Sequence, residues 1–236
     1  MNTLQNEIIS LRQQLLIHST SAFGIATIIL AVVLLCTFPL TADLAQGFHT
    51  PIIAFEFAKS EADLSFLSGN SELSVLNRNA MDNGHFWDMA FPFAYGGFIA
   101  LALLQLANQS HRLFLVGTAI AILVIPFDIQ ENLVLLDITK ALAQSAETTT
   151  LLSALAEATW LKWGALGVSI FILAIGYGLT RHYATAALSF LTATSVVICW
   201  ISKGEPIAAE VMSASVAILF LFLTTKSVIA SWTTFR

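Results

Sequence analysis

The chain has 236 residues, of which 57% are hydrophobic and only 11% are charged. A soluble domain carries about 25% charged residues, so this chain lacks the polar surface that water requires, and the lipid bilayer is its expected solvent. The formal net charge of −5 argues against nucleic acid as a partner, because phosphate binding needs a basic surface.

The first twenty residues predict a cytoplasmic amphipathic helix, which we treat as a segment of its own, 1–20. Apolar residues recur there at spacings of four and three, which is the stripe of such a helix. This helix could lie on the membrane surface or pack on a neighbouring chain, which leaves a homo-oligomer open. The apolar residues are Leu4, Ile8, Leu11 and Leu15.

Six apolar stretches follow, and together they predict an all-α polytopic membrane bundle with six transmembrane helices. Each is close to the roughly 20 residues that a helix needs to cross a bilayer. We expect a four-helix membrane unit over 21–180 and two additional transmembrane helices over 181–236. The six stretches are residues 21–40, 86–107, 113–136, 159–179, 184–201 and 206–230.

One connection, residues 41–85, is long and acidic. Within it, SELSVLNRNAM predicts a short surface helix and FLSGNSE predicts a turn. Only Lys59 and Arg78 oppose its carboxylates. The carboxylates are Asp43, Glu56, Glu61, Asp63, Glu72 and Asp82.

Arginine placement favours an orientation with both termini in the cytoplasm. In that orientation four of the five arginines lie on the cytoplasmic side, as the positive-inside rule prefers, and the long acidic connection is extracytoplasmic. These arginines are Arg12, Arg112, Arg181 and Arg236.

The second, third and fourth spans carry ionisable groups that hydrocarbon rejects. Asp128, Glu131 and Asn132 share one helix face, because they lie three and four residues apart. Asp88 opens the second span and Lys162 opens the fourth, so all five groups are expected at one level below the outer face. We therefore predict that they meet in an interior pocket.

Two further residues on the second span are candidates for the same pocket. His85 lies three residues before Asp88, and Tyr95 lies seven residues after it, so both return to the helix face of Asp88. Pro92 and Pro126 lie inside the predicted spans, and each frees a backbone carbonyl, so a kink is expected beside each acidic group.

The charges of this predicted pocket do not balance. Three carboxylates face one lysine, so a simple ion pair leaves at least one acid that must be protonated, be hydrated or bind something. We therefore expect a pocket for a small molecule, a lipid headgroup or a proton-linked cargo, with membrane lipids as partners. A lipid-modifying enzyme that uses these carboxylates is one alternative, and a structural subunit held by a buried ion-pair network is the other.

No cofactor is expected, and a metal site has thin support. Zinc usually takes several nitrogen or sulfur ligands, and His85 is the one histidine near the carboxylates. Metal binding by His85 with these acids remains open only within the enzyme alternative.

Three stretches resemble a widespread family of bacterial multi-pass membrane proteins that has no established activity. They are DMAFPFAYGGFIALALL, IPFDIQENLVLL and TWLKWGALG, and the resemblance covers about residues 82–180. It implies a bacterial inner membrane protein with a shared site but does not name a function, and the last two spans exceed the four-helix unit of the family. The matching positions are Asp88, Phe91, Pro92, Tyr95, Gly96, Asp128, Glu131, Asn132, Lys162 and Trp163.

Overall fold

A computed structural model describes residues 2–40, 42–107 and 112–234, with side chains from residue 11 onward. Its described residues form eight α-helices and one 3-10 helix, and no strand occurs among them. The helices are α1 (Asn2–Thr37), α2 (Pro51–Glu56), the 3-10 helix (Glu61–Leu67), α3 (Glu72–Asp88), α4 (Phe91–Ala107), α5 (Arg112–Ala143), α6 (Thr149–Leu179), α7 (Tyr183–Ile201) and α8 (Pro206–Thr234).

The predicted all-α bundle with six membrane-spanning helices is confirmed. Within the described part of the chain, six helical segments are long and apolar enough to cross a membrane. The second of them consists of α3 followed by α4, and the other five are single helices. These segments are Leu11–Thr37, Glu72–Ala107, Arg112–Ala143, Thr149–Leu179, Tyr183–Ile201 and Pro206–Thr234.

The six segments form a closed ring in which α1, α4, α5, α6, α7 and α8 each contact the next helix and α8 returns to α1. The additional pair α7 and α8 completes the ring. Nδ1 of His18 and Oγ of Ser231 are 2.6 Å apart, so the beginning of α1 and the end of α8 lie at the same end of the bundle. We call the opposite end, which carries α2 and the 3-10 helix, the loop end.

The predicted amphipathic segment 1–20 lies within α1, which continues without a break from Asn2 to Thr37. No glycine or proline interrupts residues 1–23, and the Thr20 hydroxyl bonds back to the Leu16 carbonyl at 2.7 Å, so nothing ends the helix there. Leu11 and Leu15 are exposed. The side chains of Leu4 and Ile8, and the whole of Arg236, lie outside the described residues.

Much of the long connection folds back onto the bundle. Phe55 of α2 and Leu64 of the 3-10 helix are fully buried, and Arg78 of α3 donates to the Gly69 carbonyl at 2.7 Å. Gly69 has a φ of +80°, which suits the predicted turn. The predicted surface helix is the first part of α3, where Met81 is already buried.

The two interior prolines have different effects. Residues 89 and 90 separate α3 from α4, and Pro92 is the second residue of α4, where a missing N–H costs least. The predicted distortion beside Asp88 is therefore a break between two helices. Pro126, in contrast, lies inside the continuous helix α5.

Substitution of Gly84 is expected to destabilise the fold through its contact with Phe38. A Cβ atom built on Gly84 would lie 2.3 Å from two ring carbons of Phe38, the aromatic side chain that follows α1. We expect Gly84→Ala to lower the free energy of unfolding by about 1–3 kcal/mol, because overpacking forces neighbours to move. Thermal unfolding in a non-ionic detergent measures the effect.

Gly164 of α6 provides the matched control, because a Cβ atom added there would have no neighbour within 4 Å. Gly164→Ala is expected to raise the free energy of unfolding by up to about 1 kcal/mol, since alanine is the better helix former. Equal shifts of the thermal unfolding midpoint in the two variants would show that the Phe38 ring moves aside without lowering the free energy of unfolding.

Candidate functional site

Lys162 is the centre of a buried charged cluster. Its ammonium pairs with Glu131 and lies 3.1 Å from Oε2 of Glu56 and 3.8 Å from Oδ1 of Asp128. All four side chains are at least nine-tenths buried. We call Glu56, Asp128, Glu131 and Lys162 the carboxylate–lysine cluster.

Three different elements supply this cluster. Asp128 and Glu131 lie one turn apart on α5, Lys162 comes from α6, and Glu56 is the last residue of α2. The α5 and α6 residues were predicted to meet, and they do. The ammonium of Lys162 therefore joins a short connecting helix to two membrane helices.

Glu56 is the member that the sequence analysis missed, because it was counted among the carboxylates of the acidic connection. A signal was present: Glu56 stands within IIAFEFA, where every neighbour is apolar. A carboxylate within such a run is expensive to bury and therefore needs a partner. Trp163 Nε1 donates to Oε2 of Glu56 at 3.1 Å, and the Thr159 hydroxyl donates to the backbone carbonyl of Glu56 at 3.3 Å.

Tyr95 contacts the cluster from the side of α4. Its hydroxyl donates to Oδ2 of Asp128 at 2.6 Å, and its ring is stacked on that of Phe220 with centroids 5.6 Å apart. The contact connects α4 with α5 and leaves Oδ1 of Asp128 without a hydrogen-bond donor among the described residues. Tyr95 was predicted to share a helix face with Asp88, and the two residues lie on different helices, Tyr95 on α4 and Asp88 at the end of α3.

His85, Asp88 and Asn132 form a second polar group beside the cluster. The His85 ring is fully buried between Phe38 and Phe55, with ring centroids 5.3 and 6.0 Å away. Asn132 adjoins both His85 and Asp88. In the part of the chain that the structure describes, neither ring nitrogen of His85 and neither amide atom of Asn132 has a hydrogen-bond partner.

Some of these polar groups line a cavity of about 570 Å³ between α1 and α8, which we call the α1–α8 cavity. This size falls within the roughly 300–1,000 Å³ of small-molecule pockets. Glu131 does not line the cavity, since it is enclosed by the packing of α5. The polar and aromatic residues at its inner end are Glu56, Asp88, Phe91, Tyr95, Asp128, Lys162 and Trp163.

The outer part of the α1–α8 cavity is mainly apolar and reaches the exposed surface of the bundle. Farther from the loop end the two helices touch, since a Cβ on Gly24 of α1 would lie 2.9 Å from the Thr224 hydroxyl of α8. Nearer the loop end, residues 27–40 and 213–221 line the cavity between them. Leu35 and Leu221 belong to this lining and are 65% and 57% exposed.

The cluster lies deeper along the helices than the sequence analysis expected. The third span was expected to end at residue 136, which placed Asp128 close below one face. The observed α5 continues to Ala143, and Asp128 is therefore near its midpoint, about 22 Å from its end at 1.5 Å per residue. Lys162 is similarly near the middle of α6.

All seven residues predicted for the pocket therefore lie in one connected region, although their roles stay predictions. Four of them touch one another directly, namely Tyr95, Asp128, Glu131 and Lys162. The described residues contain no group of three or more His, Cys, Asp or Glu side chains arranged to hold a metal ion. His85 instead packs between aromatic rings.

Comparison of the chain with protein-family models, curated proteins and solved structures finds no match. The resemblance to a bacterial membrane protein family therefore rests on the motifs quoted above and stays a prediction. The six long apolar helices identify an integral membrane protein.

Proposed function

We propose that the α1–α8 cavity binds a small molecule or the headgroup of a lipid at the carboxylate–lysine cluster. One observation supports this proposal above the others. A single cavity joins an apolar edge, which includes exposed Leu35 and Leu221, to buried charged groups, which include Asp128 and Lys162. An amphiphilic molecule likewise has an apolar chain at one end and a polar or charged headgroup at the other.

The charge of the cluster supports binding more than it supports a simple ion pair. Charges within a membrane bundle are expensive, so those with a purely structural role are expected to be matched. Glu56, Asp88 and Asp128 line the cavity, and Lys162 is the one lysine or arginine among the described lining residues. A ligand or a proton can supply the missing positive charge.

Proton-linked exchange is a natural extension of this proposal. Asp88 or Asp128 would take up a proton when a singly charged cationic cargo leaves and release it when that cargo binds, which keeps the buried charge constant. With both termini in the cytoplasm, as the arginine bias favours, and in a bacterial inner membrane, as the family resemblance implies, the cavity would open towards the outer leaflet. These placements belong to the proposal.

A structural role is the second candidate, and one specific observation favours it. Lys162 contacts carboxylates from α2 and α5, so the cluster joins three elements of the fold. Such a network can fix helix register without binding anything. It does not require the α1–α8 cavity, and this difference separates the two candidates.

Blocking the cavity tests the proposed function. Ala217 lines the α1–α8 cavity from α8 and is exposed, so a larger side chain there enters the opening without disturbing the packed core. We expect Ala217→Trp to weaken binding of cavity ligands by about tenfold or more, which corresponds to about 1.4 kcal/mol. Native mass spectrometry of the detergent-purified chain measures binding of three probes: hexadecylamine, hexadecanol and hexadecanoic acid.

Ala214→Trp is the matched control, because Ala214 is exposed on the same helix but does not line the cavity. It is expected to leave binding of every probe unchanged. If Ala217→Trp and Ala214→Trp bind all three probes as the unsubstituted chain does, or if none of the probes binds, the proposed function fails and the structural role is favoured.

A further inference from the structure

The acidic inner end of the α1–α8 cavity has acceptor atoms that the protein leaves free. Oδ1 of Asp128 accepts no hydrogen bond from the described residues, although Asp128 is only 3% exposed and lines the cavity. No Lys, Arg or His nitrogen in the described part of the chain lies within 4.0 Å of the Asp88 carboxylate. Two carboxylates on different helices therefore face the same space.

Lys162 does not neutralise these acceptors, because its ammonium is already shared. It pairs with Glu131, which lies outside the cavity lining, and is 3.1 Å from Glu56. Its distance to Asp128 is the longest of the three, at 3.8 Å. An anionic headgroup would meet an excess of like charge here, whereas a cationic group would meet the Asp88 carboxylate and Oδ1 of Asp128.

Aromatic rings at the same end also suit a cation. Phe91 and Tyr95 line the cavity with centroids 5.0 Å apart, and Trp163 already has the Lys162 ammonium 5.0 Å from its ring centroid. The faces of such rings attract ammonium groups, and the attraction grows when water is excluded. Carboxylate and aromatic contacts would therefore act together on a bound amine.

Resting on the proposed function, we infer that the α1–α8 cavity takes an amphiphile with a protonated amine at its head. The amine lies between Asp88 and Asp128 and donates to the free Oδ1 of Asp128. The hydrocarbon chain runs along the apolar walls of α1 and α8 and leaves the protein past Leu35 and Leu221. No covalent step is involved.

Three probes of equal chain length test this inference on the full chain in a non-ionic maltoside detergent. At neutral pH hexadecylamine is cationic, hexadecanol is neutral and hexadecanoic acid is anionic. Native mass spectrometry at fixed detergent concentration is expected to give a Kd for the amine about tenfold or more below that for the alcohol, with the acid weakest. A tightest Kd for the alcohol or the acid would overturn the inference.

Variants at the carboxylates identify the groups that recognise the amine. Asp88→Asn and Asp128→Asn are each expected to reduce the preference for amine over alcohol by about tenfold. Asp137→Asn is the matched control on α5, because Asp137 is exposed and does not line the cavity. If the preference for amine over alcohol survives in both cavity variants, Asp88 and Asp128 are not the groups that recognise the amine. Retained binding of the alcohol shows that each variant is folded.

Hexylamine separates an amphiphile from a small soluble amine. The apolar walls should make its Kd at least about tenfold higher than that of hexadecylamine, because burial of each further methylene contributes to binding. Equal affinities would overturn the amphiphile assignment. The failure of this inference can be distinguished from the failure of the proposed function. If all three long-chain probes bind with equal affinity and Ala217→Trp weakens their binding, the inference fails and the proposed function stands. If no probe binds, both the inference and the proposed function fail.

Discussion

Replacing Lys162 by Met is expected to remove most of the folded protein from the membrane. The substitution leaves the neighbouring carboxylates of Glu56, Asp128 and Glu131 without their shared cation. Removal of one partner from a buried ion pair costs about 3–5 kcal/mol, because a charge remains buried without compensation. The yield of monodisperse protein in size-exclusion chromatography, together with thermal unfolding, measures the loss.

Adding Glu131→Gln to Lys162→Met is expected to restore part of this stability. Glu131 is fully buried and pairs with Lys162, so its neutral form removes the most enclosed uncompensated charge. A double-mutant cycle should therefore give a coupling free energy within the range of about 0.5–3 kcal/mol for interacting residues. Glu131→Gln alone completes the cycle, since Lys162 then retains two carboxylates.

Lys140→Met is the control for the loss of a lysine from a membrane helix. Lys140 is exposed near the end of α5 and has no ion pair within 4.0 Å among the described residues. Its replacement is expected to change the free energy of unfolding by less than about 0.5 kcal/mol. If Lys162→Met unfolds no more readily than Lys140→Met, the cluster does not hold the bundle together.

The membrane helices are predictable because hydropathy reports directly on the solvent of each segment. A run such as 113–136 is too apolar to be stable in water, so its existence as a membrane-spanning helix follows from composition alone. The ends of the helices are not fixed in this way. Residues 137–143 are polar enough for a loop, yet they continue α5, because Ile138 and Leu142 pack inward and hold the helix past the apolar run.

The site could be predicted only as far as local spacing reaches. Asp128, Glu131 and Asn132 share a face in any helix, and Lys162 lies at a similar level in the next predicted span, so their meeting was foreseeable. The position of Glu56 was not, because it depends on α2 folding back between membrane helices. The α1–α8 cavity was also unpredictable, since it depends on the contact that closes the ring.

The hydrogen bonds of Glu210 show how α2 is held in that place. Its carboxylate accepts from the backbone N–H groups of His49 and Thr50 at 2.8 and 2.7 Å, and from the Thr50 hydroxyl at 2.7 Å. These groups lie at the beginning of α2, and Glu56 is at its end. A carboxylate of α8 therefore positions the short helix that brings Glu56 to Lys162.

Glu210→Ala is expected to free α2 without unfolding the bundle. Hydrogen bonds to charged groups contribute about 1.5–3 kcal/mol each, and partial exposure of Glu210 places its total effect near the lower end. A loss of about 2 kcal/mol raises the local opening equilibrium roughly 30-fold. Hydrogen exchange measured by mass spectrometry should show that increase in a peptide covering residues 49–58, with α7 unchanged as an internal reference.

Glu205→Ala separates this effect from the loss of any carboxylate near the start of α8. Glu205 is exposed, and its side chain makes no hydrogen bond or ion pair with the described residues. Its replacement is expected to leave exchange in residues 49–58 as it was. Equal protection of α2 in both variants would mean that burial of Ile53 and Phe55 alone holds the helix, and that Glu56 reaches Lys162 without help from α8.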